Sequence, residues 1–266
     1  MKKKSNVITT AWLMAVFLGI GLTGVPSSVQ ASALYFGESY IDWTSLEFGG
    51  IPVQWFGRSS GSLSHAENDF DFDQDSDGIG GWDNAFTEAF SSVLHGQAYS
   101  STDNDFLAQE LIAQVNGFDT EVLVQGFADR FSEFIADEAG IFSVSVQYSL
   151  FQDLSTEEMG EFVFGDATAK ILINDGKDET FTFGVGDSLF KTVVDGEKFQ
   201  SQRSGILNLG VPFEKGERGT ILIEAHGGAF LYKLAPESSV VPEPSTMVLL
   251  GVGMVGAFLK KRRSIA

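Results

Sequence analysis

The ten residues IFSVSVQYSL, 141–150, leave the backbone little choice. Phe142, Val144, Val146, Tyr148 and Leu150 alternate with Ser143, Ser145, Gln147 and Ser149, and only the two-residue period of a strand sorts them into an apolar and a polar face. Comparable runs follow. KILINDGKDETFTF sets an Asp175-Gly176 turn between two β-prone segments, and TVVDGEKF repeats the device at Asp195-Gly196. GTILIEAHGGAFLYKL reads as two further strands joined at Gly227-Gly228. Short strands, glycine-rich turns and no strand–helix alternation predict a mainly β body, an antiparallel β-sandwich or jelly-roll-like fold. Two segments stay open between helix and strand. DNDFLAQELIAQV puts Leu107, Leu111 and Val115 on one side of a helix, and ADRFSEFIADEA has Phe131, Phe134 and Ile135 at helical spacing.

The two ends are of different material. Lys2, Lys3 and Lys4 precede an apolar run over 11–22, and Ala31-Ser32-Ala33 then offers small residues to a signal peptidase. That order defines a cleavable N-terminal signal peptide over 1–33. A single body over 34–235 follows, then a linker, 236–241, and a tail, 242–266. Residues 247–259 are all apolar or glycine. As a helix they rise ~20 Å against a hydrocarbon core of ~30 Å, which makes a short C-terminal transmembrane helix, with a span over 245–259. Lys260, Lys261, Arg262 and Arg263 close it and hold the extreme C-terminus on the cytoplasmic side. Just outside the bilayer, Pro242 and Pro244 flank Glu243, remove backbone donors and disfavour helix, so this stretch is extended and accessible to a processing enzyme.

The order Val-Pro-Glu-Pro-Ser-Thr, a short glycine-containing apolar helix and a terminal Lys-Lys-Arg-Arg resembles the PEP-CTERM sorting signal of exopolysaccharide-producing Gram-negative bacteria. The resemblance covers 241–263 only. It implies that a membrane-embedded exosortase-type processing enzyme recognises Pro242, Glu243 and Pro244 and removes the tail, this chain being the substrate of that reaction and not its catalyst. The expectation is an exported protein, transiently anchored in the inner membrane and then at the cell surface or extracellular. Its expected role is structural or adhesive in the surface or extracellular matrix, associated with exopolysaccharide or biofilm, with extracellular polysaccharide as a partner.

Charge narrows the partners. Of 36 acidic residues 35 lie in 34–241, against 10 of the 17 basic ones. Such a field repels nucleic acid and anionic headgroups and favours cations, so no nucleic-acid partner is expected. Cysteine is absent, which removes both a disulfide framework and a thiolate zinc site.

One stretch carries metal-ligand spacing. In DFDFDQDSDGIGGWDN, 69–84, Asp73, Asp75, Asp77 and Gly78 match D-x-D-x-D-G, the opening of calcium loops in which alternate carboxylates converge and glycine permits a sharp turn. Ile79 would add its backbone carbonyl. The twelfth position is Asn84 where a bidentate Glu is expected, and Asp83 is the substitute ligand. Calcium is therefore the candidate cofactor, and a calcium-dependent carbohydrate-binding module the alternative function, with a polysaccharide-acting enzyme second. The competing reading is an acidic solvated loop, with Asp69 and Asp71 in an alternating Asp/Phe strand before it. No catalytic set is expected. GRSSG, 57–61, matches G-x-S-x-G around Ser59, but no helix follows it. His65, His95 and His226 show no ligand spacing. Trp43, Trp55 and Trp82 suit either a sandwich core or sugar stacking.

Overall fold

The computed structural model describes residues 33–82, 85–117, 120–177 and 183–234. Apart from Ala33, the expected signal peptide lies outside them, as do the expected linker, the expected transmembrane helix and Pro242, Glu243 and Pro244. Twelve strands make up the described body. In chain order they are β1 (Ala33–Gly50), β2 (Val53–Asn68), β3 (Phe72–Gly80), β4 (Thr87–Val93), β5 (Gly96–Thr102), β6 (Phe106–Val115), β7 (Thr120–Ala136), β8 (Gly140–Thr156), β9 (Glu161–Asn174), β10 (Phe183–Val194), β11 (Lys198–Phe213) and β12 (Arg218–Lys233). They form two six-stranded antiparallel sheets, ordered β11-β8-β1-β6-β5-β4 and β10-β9-β12-β7-β2-β3. The mainly β expectation holds.

Alternation explains how the sheets meet. Phe142, Val144, Val146, Tyr148 and Leu150 are buried as their period demands. With Ile41 and Leu107 they pack against Ile171, Ile173, Ile221 and Ile223 of the second sheet. A second cluster joins Tyr35, Leu111, Val115 and Leu154 to Val122, Val124, Val163 and Leu231. Each fully buried aliphatic side chain contributes ~1.5–3 kcal/mol over leaving it in water. Polar groups cross between the sheets as well. The Ser39 hydroxyl donates to His226 O (2.8 Å) and accepts from Thr168 N (3.0 Å), and Tyr35 donates to Asp166 O (2.9 Å).

Both open segments are strands. Leu107, Leu111 and Val115 share a buried face of β6, because a spacing of four satisfies period two as well as a helical turn. In β7 Phe134 is buried with Arg130 and Ser132, while Phe131 and Ile135 fall on the opposite face. The turn expectations fare unevenly. Asp175-Gly176 does open the link between the paired strands β9 and β10, with Gly176 at φ 73°. Asp195-Gly196 is a tight turn with both residues left-handed, φ 51° and 89°, but it joins the edge of one sheet to the edge of the other and makes no hairpin. Gly227-Gly228 is no turn at all. β12 runs through it, paired on both sides, and glycine is needed because a Cβ on Gly227 would lie 2.6 Å from the Gln109 side-chain amide.

Candidate functional site

The expected calcium loop is a strand. Asp73, Asp75 and Asp77 lie in β3, opposite Ala66, Ser64 and Ser62 of β2, on the inward side of an edge strand. Successive carboxylates in a strand stand ~7 Å apart and cannot converge as ligands do in a loop. Each is aimed at the neighbouring edge of the first sheet. Asp73 accepts from Ser92 N (2.8 Å), Asp75 from Phe90 N (3.1 Å) and Asp77 from Glu88 N (3.4 Å). The second oxygens of Asp75 and Asp77 accept from the next amide of their own strand, Ser76 N and Gly78 N. Each of these two carboxylates therefore bridges amides of β3 and β4, which no backbone ladder joins. Behind them Ser62 meets Thr87 (2.6 Å) and Ser64 meets Ser91 (2.8 Å) in buried hydroxyl pairs. Ile79 is an exposed residue of β3, and Asp83 lies outside the described residues. Among the described residues no group of three or more His, Asp or Glu side chains is placed to hold a metal ion.

The tryptophans gather at one end of the larger core. Trp82 is buried, with its ring centroid 5.3 Å from Trp43 and 5.5 Å from Trp55, and Phe48, Phe134 and Phe142 complete the cluster. Its indole N–H donates to Phe131 O (2.9 Å) and Ser59 O (3.1 Å), where the β2–β7 register slips between Phe56 and Ser59. Arg58 lies 4.9 Å above Trp82 and Arg130 4.1 Å above Trp43. Two guanidinium groups thus lie over the rings, Trp43 and Trp55 are half-buried, and Ser59 sits in a strand at this bulge. Of the histidines, His65 is 3.3 Å from Glu67, and His95 occupies a left-handed turn position.

Pairing register creates two titratable groups that no linear spacing reveals. On the outer face of the second sheet Asp129, Glu224 and Lys170 stand directly opposed on β7, β12 and β9. Lys170 Nζ is 3.0 Å and His226 Nδ1 2.7 Å from Glu224 Oε1. Burial alone would raise the Glu224 pKa, but the His226 and Lys170 contacts outweigh it and hold it below the usual carboxylate range. Asp129 is pushed up to about 6 by burial and by the charge of Glu224. Two carboxyls with separated proton affinities are the raw material of acid–base chemistry. Here, however, Glu224 is occupied as the ionic clasp between β9 and β12.

On the outer face of the first sheet Glu38 stands directly opposite Glu110, flanked in the same register by Phe151 and Tyr99. Burial, then the Glu110 charge, lifts Glu38 to about 7, and burial raises Glu110 as well. Phe36 packs on Phe151 and Tyr40 on Phe106 around the pair. Period two groups Glu38 with Phe36 and Tyr40, and Glu110 with Ala108 and Ile112, so alternation alone marks neither carboxyl as outward. Only the register brings them together.

Comparison with known proteins identifies one segment. The PEP-CTERM protein-sorting motif matches residues 240–263, the stretch that holds Pro242, Glu243 and Pro244. The motif implies an exported protein, anchored in the membrane and processed by an exosortase on its way to the cell surface. No curated protein and no solved structure matches the chain.

Proposed function

We propose that this chain is a non-enzymatic structural or adhesive protein of the cell surface or extracellular matrix, released there when the tail is removed at Pro242-Glu243-Pro244 and associated with extracellular polysaccharide in a biofilm. The observation that carries the reading is the sorting motif at 240–263 directly behind a body whose twelve strands end at Lys233. Support for a structural role comes from how the body uses its charged groups. Asp73, Asp75 and Asp77 tie β3 to β4, Glu224 clasps Lys170 and His226, and Lys233 bonds Glu158 and Glu161. Side chains spent on joining strands are not free for turnover. In the native host, replacing both Pro242 and Pro244 by Ala traps a longer, membrane-fractionating form, whereas the wild type is found outside the inner membrane and co-sediments with the polysaccharide matrix. Normal processing of the double variant would defeat the assignment of the cleavage motif. A wild type that washes free of the matrix would defeat the adhesive role.

A further inference from the structure

We infer that a groove crossing the outer face of the second sheet binds a polysaccharide that carries protonated amino sugars. Two adjoining cavities, of about 580 and about 350 Å³, open at one end of that face, and Phe230 lines both. A single register row runs along them over all six strands, Thr192, Phe164, Phe230, Leu123, Glu67 and Phe72 from β10 to β3. At ~4.8 Å per strand the row is ~24 Å long, which suits a chain of rings and not one small molecule. Its two halves differ in chemistry. Phe162 and Tyr232 stand opposed in the neighbouring row and, with Phe230 and the exposed Met159, wall the larger cavity, which also takes in the buried Glu161, ion-paired to Lys233. Glu67, Asp69 and Glu121 wall the smaller, and Asp69 is fixed there by accepting from Glu121 N (3.0 Å). Among the described residues the basic side chain ion-paired to any of these three is His65, 3.3 Å from Glu67.

Aromatic rings beside carboxylates that no lysine or arginine neutralises select a ligand on two counts. A sugar ring lies with its C–H face on an aromatic ring and turns its polar groups aside. An ammonium on that sugar is drawn both to the aromatic faces and to the carboxylates. An acidic polysaccharide is repelled by a body with 35 acidic against 10 basic residues over 34–241, and a neutral one leaves the three carboxylates idle. A peptide finds no ladder to extend, because the groove runs across the strands and β7, β12 and β9 are hydrogen-bonded on both sides. The inference rests on the association with extracellular polysaccharide proposed above, and adds the place and the charge of that contact.

Calorimetric titration of the processed chain with a glucosamine hexamer tests it, at about pH 5.5, where the amines are protonated and exposed carboxyls ionised. The wild type should bind the hexamer saturably, and more weakly as salt is added. Glu67→Gln with Glu121→Gln keeps the shape of the groove and should weaken binding by about tenfold or more, as should full N-acetylation of the hexamer. Phe230→Leu keeps the apolar volume, removes the shared ring and should weaken binding with little change in melting temperature. No saturable uptake of the hexamer overturns the inference, and so does equal binding of the N-acetylated form or a hexamer affinity indifferent to both variants. Oligolysine bound as tightly as the hexamer, and weakened by the same variants, would assign the groove to a basic peptide and overturn it equally. Retention in the native matrix by a chain that does not bind the hexamer overturns this inference and spares the adhesive role; hexamer binding by a chain that washes free of the matrix does the reverse.

Discussion

The two sheets meet at two seams, and the seams are built from different chemistry. At one, β3 approaches β4 through the carboxylates of Asp73, Asp75 and Asp77, with serine and threonine hydroxyls behind them. At the other, β10 approaches β11 after the Asp195-Gly196 turn. There Asp187 accepts from Tyr148 and Arg203, Lys191 lies over Phe199, and Leu189, Val193 and Leu207 are buried. Both seams answer the same need, since an edge strand with free amides invites pairing with another chain. The second seam does so with apolar burial and one ion pair. The first does so with charge, and charge at every second residue is also how a calcium loop is spelled. A motif of alternating aspartates therefore acquires its meaning from whether the backbone around it is curled or extended.

The contrast can be broken in order of expected effect. Leu189→Ala, in the apolar seam, should lower stability by ~2–5 kcal/mol, read from the urea midpoint; a loss below about 1 kcal/mol would mean that seam is not held by packing. Changing Asp73, Asp75 and Asp77 together to Ala, which removes the acceptors, should cost only ~1–2 kcal/mol. That triple variant should also lose hydrogen-exchange protection at Glu88, Phe90 and Ser92 while leaving the amides of β7 and β12 unaffected. Retained protection at those three would show that the carboxylates do not hold β4.

Smaller still is the Asp187–Arg203 coupling, about 1 kcal/mol or less in a double-mutant cycle. Burial alone would raise Asp187, but the Tyr148 and Arg203 hydrogen bonds outweigh it and depress its pKa. Its stabilisation is thus complete above the usual aspartate value near pH 4 and is lost as pH falls through the depressed folded value. Asp187→Asn should accordingly destabilise at pH 7 and become neutral in strong acid. A penalty that persists there would point to shape, not charge. The smallest effect should be that of calcium. With the three carboxylates already bonded to amides, EDTA should leave the melting temperature unchanged, whereas a saturable rise on adding calcium, abolished by Asp73→Ala with Asp75→Ala, would restore the loop reading.

Much of the fold was legible because alternation is a local signal. The run 141–150 states its own buried face, and so, once read with period two, does the face of Leu107, Leu111 and Val115. What stayed hidden depends on neighbours far away in the chain. Gly227 reads as a turn until Gln109 is seen lying against it, and Asp195-Gly196 reads as a hairpin until its two strands are assigned to different sheets. The paired carboxyls are of the same kind. Glu38 and Glu110 are 72 residues apart, and Asp129 and Glu224 are 95 apart, so no spacing rule joins them. The tail is the opposite case, because a sorting motif is read by an enzyme as a linear string, and a linear string is what a sequence displays.

That a body of this kind is carried out of the cell on a removable tail is the central claim, and the intact mass of the chain recovered from its native host tests it most directly. The expected species begins at or near Leu34 and ends within or just before Pro242-Glu243-Pro244, free of the segment through Ala266. A mass that accounts for every residue from Leu34 to Ala266 in the surface fraction would contradict it.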